Sequence, residues 1–213
     1  MEWQTGVGRV SGNIMNLISM IESWSEGRSA VARAALMIIL AFLAFCLTLN
    51  HSCWTPFAAL DLVIHEVGHP LFSYFGEWML YAGGTILQLA VPVLAIIVLM
   101  RQGEYFGLPL GGVWFAVNMF EIARYIADTR TQELPLITLG VNITSEPVEI
   151  KFTDWEYLLD RIPGLSIEYD TDVALAVRIA AYMILWGSVL LGSWMVWVMF
   201  KAKTKSATSE NTE

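Results

Sequence analysis

Charged side chains are scarce in this sequence. They make up 15% of its 213 residues against 56% hydrophobic ones, and the mean hydropathy is +0.56. Soluble domains carry about 25% charge, so the polar surface available here is too small to cover a water-exposed globule. Histidine occurs only three times, which excludes the histidine-rich di-iron hydroxylases and desaturases of membranes. Cysteine is limited to Cys46 and Cys53; near one membrane edge they read as packing residues, with a disulfide as the alternative. No internal repeat is present. A cleavable signal peptide is not expected, because the first apolar run begins only near Ala30, after a polar, mixed-charge stretch. Basic residues run short in one region: residues 128–172 hold ten acids against Arg130, Lys151 and Arg161. Such a segment repels anionic lipid and nucleic acid, so no nucleic-acid partner is expected.

What the chain has instead is long apolar runs. Ala30–Leu49 is long enough, at about 1.5 Å per residue, to cross ~30 Å of hydrocarbon. Met79–Met100, Gly107–Ala127 and Val173–Phe200 read as further spans, and Phe57–Phe75 as an apolar segment interrupted by Asp61, His65, Glu66 and His69. Before the first span, Ile14, Leu17, Ile18, Ile21 and Trp24 recur at helical spacing. They predict a helix over 10–24 that lies on the membrane or packs on the bundle. The fold class expected is therefore all-α: a polytopic transmembrane helical bundle of four to five membrane segments with a small polar extramembrane insertion. Residues 1–29 form an amphipathic start, 30–127 the main membrane region, 128–172 the acidic insertion, 173–200 the last span and 201–213 a disordered tail. In the insertion, Val148, Ile150 and Phe152 alternate as in a short strand, and Asp154 is placed to cap a helix Trp155–Arg161 that stops at Pro163-Gly164.

The chemistry is concentrated in His65-Glu66-Val67-Gly68-His69. On a helix, an HExxH run sets its two histidines one turn apart on one face, where both reach one zinc, and the glutamate beside the first serves as general base toward water. Two of the chain's three histidines fall in this run. Each ionisable group at mid-membrane costs ~2.5–3.5 kcal/mol even on the lenient insertion scale, so a segment carrying four of them points to function. Gly68 is expected to leave room beside the metal. Two histidines leave zinc one protein ligand short, and the candidates are Asp128, Asp154, Glu121, Asp61 and His51. Asp128 is preferred, because Asn118, Glu121, Tyr125 and Asp128 follow one another along one helix face, and a polar stripe in a membrane helix faces the site rather than lipid. Glu121 comes second. Asp61, four residues before His65, suits a partner that orients a histidine N–H. Asn118 belongs to the same polar network, and Arg124 either joins it or snorkels to the interface. Gly83-Gly84-Thr85 with Gln88 reads as close helix packing with an interhelical hydrogen bond, or as an edge offered to an extended substrate.

These residues resemble the site-2-protease-like intramembrane metallopeptidases over roughly residues 57–130. In that family a three-helix core carries HExxH on its first helix and an aspartate ligand at the third. By that resemblance the core begins with His65–His69, Met79–Met100 is its second helix, and Asp128 closes the third. The family's Leu-Asp-Gly or Asn-Pro is here replaced by Ile126-Ala127-Asp128-Thr129. The chain also resembles small bacterial members with Leu-Pro-Leu followed by His-Asp-Trp; here Leu134-Pro135-Leu136 and Thr153-Asp154-Trp155 stand in those places. The resemblance implies a zinc metalloprotease of a bacterial inner membrane, acting on membrane-protein or peptide substrates. Glu66 is then catalytic, His65, His69 and Asp128 are metal ligands, and Asp61, Gln88, Asn118 and Glu121 are supporting residues. The rival reading is a catalytically silent scaffold or binder, with a metal-free site and Glu66 tied up in an ion pair.

Two charge signals bear on topology. Arg9, Arg28 and Arg33 precede the first span and Lys201, Lys203 and Lys205 follow the last, so both ends read as cytoplasmic. Five full crossings forbid that; a re-entrant segment 57–75 with four crossings allows it.

Overall fold

The structure is a computed structural model describing residues 15–16, 18–26, 28–134 and 153–210, with side chains as far as 202. It is helical throughout, with no strand among the described residues. The alternation at Val148, Ile150 and Phe152, the Pro135-Leu136 segment and residues 1–14 lie outside the described residues. Six helices are labelled here α1 (Ala30–Leu49), α2 (Ala58–Phe72), α3 (Glu77–Arg101), α4 (Gly107–Ala127), α5 (Asp154–Arg161) and α6 (Asp170–Glu210). Three stretches are long and apolar enough to cross a membrane: Ala30–Leu49, Glu77–Arg101 and Ile167–Ala202. Their outward faces remain apolar, with Ile38 and Phe42 on α1, Leu94 and Val98 on α3, and Met183 and Leu190 on α6 all exposed. Lipid tails, unlike water, accept such a surface without penalty. α6 continues through Glu210, so residues 201–210 are helical where a disordered tail was expected.

α4 and α6 form the centre of the bundle, and α4 is the most buried helix. Small residues let the helices approach: a side chain at Gly112 would strike Ser188 of α6, and one at Gly192 would strike Met37 of α1 and Pro109 of α4. Phe120 meets Tyr182 edge-on at 4.7 Å within the main apolar core. Ion pairs mark the two ends. Arg28 and Arg33, around the start of α1, bind Glu104 in the α3–α4 turn. At the other end Arg130, just past α4, grips buried Asp170 at the start of α6 through two bonds of 2.6 and 2.8 Å. The start of α1 and the far end of α6 therefore share one end of the bundle. Helical residues 15–16 and 18–25 join that end: Ile21 is buried, and Trp24 packs edge-on to Tyr105 and beneath Arg28. Of the two placements expected for this helix, packing on the bundle describes Ile21 and Trp24. Cys46 and Cys53 are free thiols.

α2 and α3 form a hairpin. Pro70 lies in the last turn of α2, a 3₁₀ turn Ser73–Phe75 follows, and Gly76 at φ 105° reverses the chain in a conformation that side chains disfavour. Where the two helices cross, a side chain on Gly68 would run into the Gly83 backbone and one on Gly83 into the Gly68 carbonyl. Gly68 thus sets a helix crossing rather than space beside a metal. Gly83-Gly84 is likewise part of that close packing, with α3 helical throughout.

Candidate metal centre

The site lies where α2, α3, α4 and α5 meet. α2 carries His65 and His69 on the face turned to the hairpin partner. The His65 ring packs over Gly84, where an added Cβ would stand 2.6 Å from Nε2. Its Nδ1 faces Gln88 Oε1 at 3.0 Å, and Gln88 in turn donates to Glu121 Oε2 on α4 at 3.1 Å. His69 Nδ1 faces the Leu80 carbonyl at 2.8 Å. That oxygen can only accept, so Nδ1 holds a proton and Nε2 is the ring atom left for a metal.

The third member is Asp154. Its Oδ2 lies 3.2 Å from His65 Nε2 and 3.3 Å from His69 Nε2. The three side chains form the one metal-ligand group found among the described residues. Nε2 lone pairs facing a carboxylate oxygen need a cation between them, either protons or a metal. The spacing fits a metal: bonds of about 2.0–2.1 Å at a tetrahedral ion set neighbouring donors about 3.3 Å apart. Two imidazoles and one carboxylate also make up a donor set of catalytic zinc sites, which keep a fourth position open.

Asp154 is delivered by local sequence. Thr153 caps α5 and forms a capping box: its hydroxyl accepts from Glu156 N at 3.2 Å, and Glu156 Oε2 accepts from Thr153 N at 3.4 Å. The cap is therefore Thr153, not Asp154, and the first-turn position leaves Asp154 free to point at the histidines. α5 is fixed by its apolar face: Tyr157 stacks on Tyr81 at 3.9 Å, and Leu158 is buried beside Ala82. Burial pushes the Asp154 carboxyl up, but hydrogen bonds and charge from His65 and His69 outweigh it and hold it below its ordinary value.

Other expected residues stand elsewhere. Asp128, the expected third ligand, stands outside the metal-ligand group: it ends α4, and its carboxylate accepts from Thr131 Oγ1, Glu133 N and Leu134 N at 2.8, 2.9 and 3.0 Å, organising the turn that follows. Asp61 is fully buried but accepts from the Trp114 indole at 2.8 Å, so it orients no histidine. Asn118 is buried and donates to the Trp114 carbonyl. Glu121 reaches the site only through Gln88, and His51 lies outside the metal-ligand group. Tyr125, expected only as part of the α4 stripe, stands edge-on to His65 at 6.0 Å and beside Asp154. Glu66 is half-buried and acts electrostatically on His69 and Tyr125, yet it has no hydrogen bond or ion pair with any described residue. Comparison with protein-family models, curated proteins and solved structures finds no match to this chain.

Proposed function

We propose that this protein is an intramembrane zinc metallopeptidase that hydrolyses peptide bonds in or beside membrane segments. The observation that carries this reading is the convergence of His65 Nε2, His69 Nε2 and Asp154 Oδ2 on one point, beside a Glu66 that has no hydrogen bond or ion pair among the described residues. Bound zinc supplies Lewis-acid polarisation of a carbonyl and acidifies water. Glu66 accepts the proton of the attacking water and returns it to the departing amine. Its freedom from ion pairs with described residues favours an enzyme over a silent scaffold, in which that carboxylate would be locked. Tyr125 stands beside Asp154 and would help to hold its carboxylate in place.

The ion pairs at the bundle ends support a topology. Five full crossings would separate Arg28 from Glu104, yet the two are bonded. Four crossings by α1, α3, α4 and α6, with α2 entering and leaving on one side, keep them together. α2 spans 15 residues, about 22 Å, which is short for a ~30 Å core. The site then opens toward the non-cytoplasmic side, next to the acidic insertion.

The deciding experiment compares wild type, His65→Ala and Glu66→Gln, purified in lipid nanodiscs, for metal content and for cleavage of a peptide library read by mass spectrometry. Zinc is expected in wild type and Glu66→Gln, with cleavage in wild type alone. Undiminished cleavage by Glu66→Gln refutes the mechanism, and iron in place of zinc refutes the metal.

A further inference from the structure

We propose that Glu121 is a positioning residue for the metal centre, acting on His65 through Gln88; the inference rests on the metallopeptidase reading of that site. The two histidines are oriented by different means. His69 donates to a backbone carbonyl, which has one polarity. His65 instead faces a carboxamide, whose two ends have nearly the same shape and opposite chemistry. With Oε1 turned toward it, as observed at 3.0 Å, the Nδ1 proton is accepted and Nε2 keeps its lone pair for a metal. With the amide reversed, an N–H group meets Nδ1, the ring proton moves to Nε2, and that donor is lost.

On the Nε2 side Asp154 Oδ2, at 3.2 Å, draws the ring proton toward Nε2 when no cation lies between them, so the Nδ1 tautomer has to be held from the Gln88 side. The choice is made at the other side of Gln88, where Nε2 donates to Glu121 Oε2 at 3.1 Å. Gln88 is 5% exposed, so water cannot take over that role. Hydrogen bonds therefore run in one direction from α2 through α3 to α4, and a residue that touches no metal ligand fixes the chemistry of one. Gly84, one helical turn before Gln88, lets the imidazole lie against α3 within reach of the Gln88 carboxamide.

The test uses full-length protein in nanodiscs and zinc affinity measured by competition with a chromophoric chelator. Glu121→Leu is expected to weaken zinc binding about 10-fold or more, as loss of an orienting partner does. Glu121→Gln puts a carboxamide that can meet Gln88 with either end in place of the acceptor-only carboxylate, so it is expected to weaken zinc binding, by less than Glu121→Leu does. Gln88→Glu alone sets two acceptors face to face and weakens binding, while the swap Gln88→Glu with Glu121→Gln restores a complete chain and the affinity. A packing role cannot produce that rescue, because the side chains exchanged are the same size. Wild-type affinity in Glu121→Leu, or a swap no better than Gln88→Glu alone, overturns the proposal. If zinc binds wild type and not His65→Ala in that event, the metal site itself stands. If wild type binds no zinc, both readings fall.

Discussion

A single methyl group at Gly84 tests the geometry of the site without removing any ligand atom. The Cβ of Gly84→Ala would stand 2.6 Å from His65 Nε2 and 2.8 Å from Cδ2 and Cε1. Non-bonded heavy atoms settle at about 3.5–4.0 Å, so the imidazole must retreat by about 1 Å. Metal–ligand distances tolerate only ~0.2 Å. The retreat is several times larger, and it also breaks the Nδ1 bond to Gln88. The expected loss is at least the ~10–100-fold that displacing an orienting partner costs, or about 1.4–2.8 kcal/mol of binding. The helix itself is expected to hold, because alanine favours a helix interior over glycine by up to ~1 kcal/mol. Gly187→Ala on α6 is the matched control: nothing lies within 4 Å of its added Cβ, so affinity stays at the wild-type value. The assay is zinc competition in parallel with thermal melting. A folded Gly84→Ala protein that binds zinc as wild type does would refute the placement of His65 against α3.

Asp154→Ala is expected to empty the site, whereas Asp128→Ala leaves zinc in place and loosens the turn after α4 by about 1 kcal/mol; metal content with melting curves separates the two. Zinc retention is expected to fall as pH drops through about 6.5, where free imidazoles take up protons. The depressed Asp154 carboxyl has the opposite sign: its contribution is present above the ordinary value of about 3.9 and disappears only as pH falls through its lower folded value. Cysteines introduced at Glu77 and Ser206 are expected to react with an impermeant reagent from outside and from inside, respectively. The reverse pattern requires five full crossings and contradicts the Arg28–Glu104 pairing.

The readable part of the site was the part written in one helix. His65, Glu66 and His69 are fixed relative to one another by the 3.6-residue turn, so spacing alone gave their arrangement. Asp154 is 85 residues from His69, and no periodicity links the two. Helical spacing instead favoured Asp128 by extending the α4 stripe one residue past Ala127, where the helix ends. The capping box at Thr153 was the available signal: Thr-x-x-Glu makes Thr153 the cap and frees Asp154. Gly68 was misread for a related reason, since its neighbour is the Gly83 backbone and a helix crossing leaves no local pattern. The apolar helices were legible because lipid exposure demands continuous hydrophobicity, and their breaks at Asn50, Gly76 and Gly103 mark the ends of α1, α2 with its 3₁₀ turn, and α3.

Asp154 is carried by α5, which packs on α3 through the Tyr81–Tyr157 stack, Ala82 and Leu158, and on α4 and α6 through Trp155, which lies against Ile122, Ile126 and Ala174. On the metallopeptidase reading proposed above, an ion held by His65, His69 and Asp154 would tie α5 to the two histidines of α2. Linkage makes the coupling reciprocal: docking of α5 raises metal affinity by the same factor by which metal strengthens docking. A molecule that wedges between Tyr81 and Tyr157 would lower metal affinity while touching none of the ligands. On that reading, metal occupancy would report how α5 is docked against the helices that carry the histidines.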